Sequence, residues 1–432
     1  MEKLFLGVDR EIITPQVGGH LFGYHPYVIS DAVEDDLTVT AFYFRQGKKQ
    51  ALMVSATVCL LQTALTEDIL EKIETKYAIA KQCCIISATH THSGPNTAGM
   101  EGWGAIDTQY INTILLPQIF KAVEKAKENA QPVTMGSASG CSFVGINRRE
   151  ITEDNNVKLG QNPWGSFNPR MTVISFKNEQ GNVVANLVHY GCHGTAAGEN
   201  TQITRDWPGV MIDEMERFTG AVTAFFNGPD GDIGPRLSNG GTTGGNDVRY
   251  AYESGHVAAQ DAVRIYREIY DYRQVSLTCS GKTFIMPFKG RMPQEEAKAL
   301  YEKYQGEKVN LAGAIRNFAE KVIKSYKNGE PESEGVSIRQ TVLVLGNMVI
   351  ASFPYELFSE IGLRIDKAFA DKRVLCLSHT NGNEGYFVTE DTLCRGGYEV
   401  EMFMYGHAQP YCDNADFELI KTTVNHIKTV LG

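Results

Sequence analysis

The hydrophobic and polar positions along the chain follow two different periods. Segments with alternating or continuous apolar residues predict strands, at Leu37–Phe44, Gln50–Val58, Cys84–Ala88, Met171–Phe176, Val183–His189, Val222–Phe226, Val336–Leu345 and Met348–Phe353. Segments with helical spacing predict helices, at Leu65–Tyr77, Ile106–Asn129, Val210–Phe218, His256–Tyr270, Pro293–Lys327, Glu360–Ala370 and Phe417–Val430. Strands and helices intermix throughout. This order predicts an α/β multilayer sandwich with mixed β-sheets and flanking helices.

Three segments carry more specific expectations. Pro117 lies inside the helix predicted over 106–129, where proline removes a backbone donor, so we expect a kink or a break. The segment 293–327 is rich in Lys and Glu, which predicts a solvent-facing helix. Asn239–Asn246 is typical of a loop, and its glycines are too irregular to bind a phosphate. No linker or repeat marks a domain boundary, so we expect a single domain over residues 1–432.

Composition excludes several classes of protein. Of 432 residues, 42% are hydrophobic and 21% are charged, which is ordinary for a globular protein. The net charge is −10 and no basic stripe is present, which argues against a nucleic-acid partner. No segment approaches the roughly 18 apolar residues of a membrane span, and the N-terminal apolar stretch is too short for a secretion signal. We therefore expect a cytoplasmic enzyme without transmembrane segments.

The cysteines show no disulfide or metal-binding spacing. There are nine, scattered along the chain, and no Cys-Xaa-Xaa-Cys motif occurs. Cys83 and Cys84 are neighbours in a predicted strand. An odd, scattered set predicts reduced and mostly buried thiols.

Two histidine segments follow predicted strands. In the first, His90-Thr-His92-Ser-Gly-Pro95, residues two apart point to one face of an extended chain. Their rings suit a divalent metal, or one ligand beside one proton-handling neighbour. In the second, His193-Gly-Thr195 comes shortly after the strand over 183–189. Either segment taken alone is also compatible with ordinary polar loop residues.

A carboxylate and two tyrosines lie in later connecting segments. Glu356 follows Phe353-Pro-Tyr, between a strand and a helix, where a carboxylate often serves only as a helix-end charge. Tyr386 closes Asn381-Gly-Asn-Glu-Gly-Tyr386, and Tyr398 lies twelve residues later. Loop tyrosines usually pack or form hydrogen bonds. Taken singly, these residues do not define a site.

The order and spacing of these motifs resemble the neutral ceramidase family along nearly the whole chain, from Ile13-Thr-Pro15 to the last helix. The resemblance implies a zinc hydrolase that cleaves an amide (N-acyl) bond through a metal-activated water, and a place in lipid metabolism. The zinc ligands that it implies are His90, His193, Glu356 and Tyr386. It also implies a small-molecule or lipid amide as substrate.

The resemblance further implies two catalytic residues, and we infer a third, His92, from its position beside His90. Arg148, in Ile146-Asn147-Arg148, corresponds to a substrate-facing Asn-Arg pair, and Tyr398 corresponds to a second tyrosine near the scissile amide. Both would donate hydrogen bonds to the carbonyl and the developing oxyanion. His92 would exchange a proton with the water or the leaving nitrogen. Asp206 and Asp232 would orient ligands or the arginine, or else cap a loop or helix.

The sequence departs from the family at one functional position and in its extent. Ceramidases carry Gly-Asp-Val-Ser-Pro, whose serine has been proposed as nucleophile, whereas this chain has Gly234 at that position. We expect no immunoglobulin-like C-terminal domain. A zinc mechanism needs no serine, but the substrate is then open between ceramide and a smaller soluble amide. Two alternatives remain: cleavage of an ester or sugar-derivative linkage, and a non-catalytic relative that binds a metal and a ligand. The oligomeric state is open.

Overall fold

The computed structural model describes residues 2–237 and 247–432. It is built on two mixed β-sheets. The larger has eight strands, which in chain order are β1 Leu4–Ile12, β2 Thr38–Gln46, β3 Lys49–Ala56, β4 Cys84–Ala88, β5 Gln131–Cys141, β6 Arg170–Asn178, β7 Val183–Tyr190 and β8 Val222–Asn227. The smaller has β9 Leu277–Pro287, β10 Gly335–Leu345, β11 Met348–Ser352 and β12 Arg373–Leu377. The glycine-rich stretch 239–246 lies outside the described residues.

The strand order explains why the sheets are mixed. The large sheet runs β8-β7-β6-β5-β1-β2-β3-β4, with parallel pairs only at its two ends, β7 with β8 and β3 with β4. The small sheet runs β9-β10-β11-β12, and its parallel pair is β11 with β12. Each parallel pair requires a crossover, because a short hairpin joins only antiparallel strands. The three crossovers contain helices.

Nine helices of at least eight residues flank the sheets in the described ranges. They are α1 Thr63–Tyr77, α2 Leu116–Glu128, α3 Asp206–Thr219, α4 Arg249–Arg267, α5 Gln294–Lys303, α6 Asn310–Asn328, α7 Ser359–Lys367, α8 Tyr398–Tyr405 and α9 Ala415–Leu431. Shorter paired strands occur at Leu21–Phe22 with Gly94–Pro95, Ala32–Val33 with Gln202–Ile203, Gly145–Asn147 with Ile233–Pro235, Arg149–Ile151 with Val157–Leu159, and Glu356–Leu357 with Tyr386–Phe387.

The buried side chains show four layers. Strand β2 sends Val39 and Tyr43 into a core shared with α1 and α2, and sends Phe42 and Phe44 into a core shared with the small sheet. The outer face of the small sheet is covered by α7, α8 and α9. Strands buried on both faces are apolar at nearly every position, as the runs in the sequence indicated. The predicted α/β multilayer sandwich with mixed sheets and flanking helices is confirmed.

Pro117 does not break its helix. A π-helical turn at Ile111–Leu115 leads directly into α2, and Pro117 is the second residue of α2. A π turn shifts the hydrogen-bond ladder, so the helix tolerates the missing donor of the proline. The expected break at Pro117 is therefore absent, and the irregularity of this segment is the π-helical turn that precedes the proline.

The helix predicted over 293–327 is two helices, and it is not only a solvent-facing surface. The break contains Gly306, whose φ of +88° is left-handed backbone that favours glycine. Helix α6 buries Phe318 and Val322 against α5 and the core. The Lys and Glu residues concealed this apolar stripe, because they occupy the opposite face of the same helix.

One pair of cysteines contradicts the expectation of reduced thiols. Cys83, just before β4, forms a disulfide with Cys279 in β9 and so links the two sheets. Local spacing could not predict it, since the two residues are 196 positions apart. The other seven cysteines are free. Within residues 2–237 and 247–432, no helix combines the length and hydrophobicity that crossing a membrane requires.

Candidate metal and catalytic site

The three parallel crossovers bring six strand ends to one place. They are β3-α1-β4, β7-α3-β8 and β11-α7-β12. The residues just beyond these six carboxyl ends are Cys59, His90, His193, Asp230, Glu356 and His379. All six are buried. Polar side chains gathered at the carboxyl ends of parallel strands are typical of a ligand site in α/β proteins.

Hydrogen bonds to backbone carbonyl groups fix the rings of the two histidines that were predicted as metal ligands. His90 Nδ1 lies 3.0 Å from the carbonyl oxygen of Cys59. His193 Nδ1 lies 2.9 Å from the carbonyl oxygen of Asp230 and 3.1 Å from that of Ile233. A carbonyl oxygen only accepts, so Nδ1 carries the proton in both rings. Each Nε2 is then left with a free lone pair, which is the form that binds a metal.

Glu356 and Tyr386 are brought together by strand pairing. They are direct register partners in the parallel pair Glu356–Leu357 with Tyr386–Phe387. Glu356 Oε2 lies 3.5 Å from His90 Nε2 and 3.3 Å from His193 Nε2. Tyr386 Oη lies 3.3 Å from His193 Nε2. The four predicted ligands therefore form one cluster, although 296 positions separate His90 from Tyr386 (386 − 90).

The cluster fits a divalent metal ion. Zinc bonds of about 2.0–2.1 Å place tetrahedral ligand atoms roughly 3.3–3.4 Å apart, close to the separations observed here. Glu356 Oε2 is buried and has no hydrogen-bond partner among the described residues. An ionised oxygen in that state is costly unless a cation neutralises it. Two imidazoles, a carboxylate and a phenol form a mixed N/O donor set that zinc accepts.

The electrostatics of the cluster favour a bound cation. Burial by itself raises the pKa of Glu356, so its ionised form requires a neighbouring positive charge, either on a protonated His90 or His193 or on a bound cation. Burial lowers the pKa of His90 well below its usual value, and the neighbouring His379 and His193 add to this effect. At neutral pH His90 is therefore neutral, and a bound cation would keep Glu356 ionised.

His92, Arg148 and Tyr398 line a cleft that opens onto the cluster. The cleft has a volume of about 310 Å³ and is also lined by Tyr24, His25, Trp103, Leu159, Glu199 and Leu311. His92 Nε2 lies 3.2 Å from His90 Nε2. Arg148 donates from Nη2 to Tyr386 Oη at 2.9 Å. The Tyr398 ring packs edge-on against that of Tyr386, with centroids 5.6 Å apart. All three predicted catalytic side chains thus adjoin the predicted ligands.

Asp206 and Asp232 contact backbone and loop groups instead of the ligand rings. Asp206 accepts from the backbone N–H groups of Ala196 and Ala197, at 3.0 and 2.9 Å, and so caps the loop that follows His193. Asp232 accepts from Ser359 N at 2.7 Å and from Asn147 Nδ2 at 3.0 Å. It therefore ties the segment that carries Arg148 to the start of α7.

Sequence reasoning missed four buried residues of the site. Glu399 accepts hydrogen bonds from Arg148 and Arg149, at 2.8 and 2.7 Å. Its position directly after Tyr398 could have drawn attention to it. Cys59, Asp230 and His379 complete the six strand ends. Cys59 clusters with His90 and His92, and Asp230 clusters with His90 and His193, with side-chain donor atoms within 4.8 Å in each group.

A family model described as neutral/alkaline non-lysosomal ceramidase, N-terminal, matches residues 5–255, which is more than half of the chain. The chain belongs to the neutral/alkaline non-lysosomal ceramidase family. Membership supports a hydrolase of the ceramidase type. No curated protein sequence matches the chain significantly.

Two solved structures share the fold. The neutral ceramidase from Pseudomonas aeruginosa superposes with a TM-score of 0.76 at 18% identity, over 98% of this chain and 74% of that one. A structure described as a ceramidase complexed with C2 gives a TM-score of 0.76 at 16% identity over the same shares. Both extend over the small sheet, which the family match does not reach.

Proposed function

We propose that the protein is a zinc-dependent amide hydrolase whose metal is held by His90, His193, Glu356 and Tyr386. One observation carries the proposal. The unprotonated Nε2 atoms of two buried histidines converge, at 3.5 and 3.3 Å, on a buried glutamate oxygen that has no hydrogen-bond partner among the described residues. Family membership supports the hydrolase class, and the donor set supports zinc.

When bound, zinc would acidify a water molecule and polarise the scissile carbonyl group. His92 would handle the proton. Burial, with a further contribution from His193, lowers the pKa of His92 to about 3, so its ring is neutral at pH 7. A neutral imidazole that lines the cleft can accept a proton and pass it to the leaving nitrogen.

Arg148 and Tyr398 would bind and orient the carbonyl of the substrate. Arg148 keeps its charge, because Tyr386 and Glu399 raise its pKa against the opposing effect of burial. Burial raises the pKa of the Tyr398 phenol, which therefore stays protonated and can donate. Both donors are held in place before the substrate binds, which is the condition under which such groups stabilise an oxyanion most.

The size of the cleft supports a small N-acyl substrate over long-chain ceramide. Its volume of about 310 Å³ is at the lower limit for sites that hold drug-sized ligands. Only two of its lining residues, Leu159 and Leu311, are aliphatic, and Glu199 places a carboxylate in its wall. A long acyl chain requires a continuous apolar wall, because each buried CH₂ contributes about 0.8 kcal/mol only when it leaves water.

The proposal is tested with purified protein and a substrate panel. Zinc is quantified by elemental analysis, removed with a chelator and restored. The panel pairs short amides with esters of the same acyl group. We expect amide turnover that disappears on chelation and returns with zinc. Ester cleavage without amide cleavage would support the alternative reaction, and zinc binding without turnover on the panel would support a non-catalytic relative.

A cytoplasmic location stays a prediction. It requires that Cys83 and Cys279 be reduced in the cell, because structural disulfides are rare in the cytosol. Alkylation of the thiols at lysis, followed by mass spectrometry, measures the state of this pair. A fully oxidised pair would support an oxidising compartment instead.

A further inference from the structure

Two side chains meet behind the predicted histidine ligands. Asp230 follows β8 of the large sheet, and His379 follows β12 of the small sheet. Both are fully buried or nearly so. Neither has a role in the proposed reaction, and the sequence predicted no function for either.

The two side chains are hydrogen-bonded to each other. His379 Nε2 lies 3.0 and 2.9 Å from the two carboxylate oxygens of Asp230. A carboxylate accepts, so Nε2 is the donor. Asn227 Nδ2 donates to the same carboxylate at 2.9 Å. Both oxygens of Asp230 are therefore engaged by neighbouring side chains.

The pair touches both histidines of the metal cluster. The His379 ring stacks on the His90 ring, with centroids 4.0 Å apart and an interplanar angle of 11°. The backbone oxygen of Asp230 accepts from His193 Nδ1 at 2.9 Å, and its carboxylate lies 3.4 Å from the same nitrogen. The stacking sets the plane of the His90 ring. The backbone oxygen of Asp230 sets the tautomer of His193, and the Asp230 carboxylate lies beside the same nitrogen, where it favours this orientation of the ring.

The backbone around the pair is unusual. His90 has a φ of +69° and His379 a φ of +53°, a left-handed conformation that residues with side chains rarely adopt. The peptide groups of His379 are bonded on both sides, with its N–H donating to Tyr355 O at 3.1 Å and its carbonyl accepting from Ala88 N at 3.0 Å. Such conformations persist only where surrounding contacts hold them, and they cluster at functional sites.

We propose that Asp230 and His379 are positioning residues that orient His90 and His193 for metal binding. This inference rests on the proposed function. His379 also engages both Asp230 oxygens, and so keeps that carboxylate out of the ligand set although its atoms lie close enough to bind. Hydrogen-bonded partners behind metal ligands typically contribute 10- to 100-fold to metal affinity.

The test uses two site variants and a matched control in the full-length protein. Asp230→Asn keeps the shape of the side chain and removes its charge. His379→Phe keeps a ring against His90 and removes the donor to Asp230. The control is His189→Phe, because His189 is also a buried histidine that bonds across the sheets, to Cys376 O at 2.9 Å, without contacting the ligand rings. Zinc affinity is measured by competition with a chromophoric chelator, and ligand geometry by the visible spectrum of the cobalt-substituted protein.

We expect both site variants to bind zinc 10- to 100-fold more weakly and to shift the cobalt spectrum, while His189→Phe changes neither. Affinities within threefold of the wild type, with unchanged cobalt spectra, would overturn the inference and leave the proposed function standing. Loss of all zinc from Asp230→Asn with no change in His379→Phe would make Asp230 a ligand and also overturn it. A wild-type protein that binds no zinc would overturn the proposed function together with the inference.

Discussion

Arg148 donates one hydrogen bond to the phenol oxygen of Tyr386 at 2.9 Å and another to the carboxylate of Glu399 at 2.8 Å. Burial raises the pKa of Tyr386, and the guanidinium of Arg148 opposes that rise. The arginine thus favours the ionised phenol that a metal binds best, while facing the cleft where the substrate carbonyl would lie.

Replacing Arg148 should therefore impair both metal binding and turnover. We expect Arg148→Met to lower kcat by about 10²–10³, the usual loss for one oxyanion donor, and to weaken zinc binding. Arg149→Met is the matched control, because Arg149 bonds to the same Glu399 at 2.7 Å but does not line the cleft. Steady-state kinetics and zinc titration measure both effects. Equal losses in the two variants would show that Arg148 only supports the fold around Glu399.

The metal content should depend on the two histidines. We expect one tight zinc per chain by elemental analysis, and His193→Ala should remove most of it, because its Nε2 lies within 3.3 Å of both Glu356 Oε2 and Tyr386 Oη. His256→Ala, which changes an exposed histidine far along the chain, should retain the metal. Stoichiometric zinc in a His90→Ala/His193→Ala double variant would refute the ligand assignment.

Restoring the family serine should not create a new nucleophile. Gly234 is buried in the short strand Ile233–Pro235. It pairs with Ile146, which lies two residues before Arg148 in the chain. We expect Gly234→Ser to leave amide turnover within about tenfold of the wild type, because zinc already supplies a nucleophile at neutral pH. Intact-protein mass spectrometry after rapid quenching would detect an acyl-enzyme. A trapped adduct with a large gain in activity would contradict the proposed chemistry.

The size of the substrate can be measured directly. We expect weak or no hydrolysis of long-chain ceramide in detergent and better turnover of short, water-soluble N-acyl compounds, because the cleft is small and has few aliphatic walls. Kinetics on both substrates, with the same enzyme batch, give the comparison. A kcat/KM for long-chain ceramide near ~10⁴ M⁻¹s⁻¹ or above, with the short amides untouched, would contradict this expectation.

A buried histidine outside the site should make stability depend on pH. Burial lowers the pKa of His189 to about 4, from an ordinary value of 6.5. Between these values the unfolded chain binds a proton that the folded chain does not. His189 therefore contributes its full stability above pH 6.5 and loses it as the pH falls towards 4, by on the order of 3 kcal/mol. Urea unfolding at several pH values should show a shallower acid slope for His189→Gln. Parallel slopes for the two proteins would exclude this residue as a cause.

Much of the fold follows from local patterns, but some strands do not. Strands buried on both faces, such as β4, are visible as apolar runs. Strand β5 is not, because it carries Gly136 and Gly140 where bulkier residues would be expected. A Cβ on Gly140 would come within 3.0 Å of Ile265 in α4, and one on Gly136 would come equally close to Ile269, just after that helix. The glycines are needed because β5 packs closely against the segment that contains Ile265 and Ile269. The periodicity of the sequence cannot show such a contact between distant segments.

The candidate site could also be predicted only in part from the sequence. His90 and His92 could be paired from their spacing, since residues two apart share a face of an extended chain. Joining them to Glu356 and Tyr386 depended on the order of motifs in a known family. The contact between Asp230 and His379 was beyond reach, because it forms between the last strands of two different sheets.

The meeting of six strand ends also ties the two sheets together energetically. Of the predicted ligands, His90 and His193 follow strands of the large sheet, whereas Glu356 and Tyr386 belong to the chain around the small one. A metal bound by all four bridges the layers and is released when the layers separate. By mass action, occupancy of the site would stabilise the packing between the sheets, so the metal-loaded protein should resist separation of the two layers more strongly than the metal-free protein.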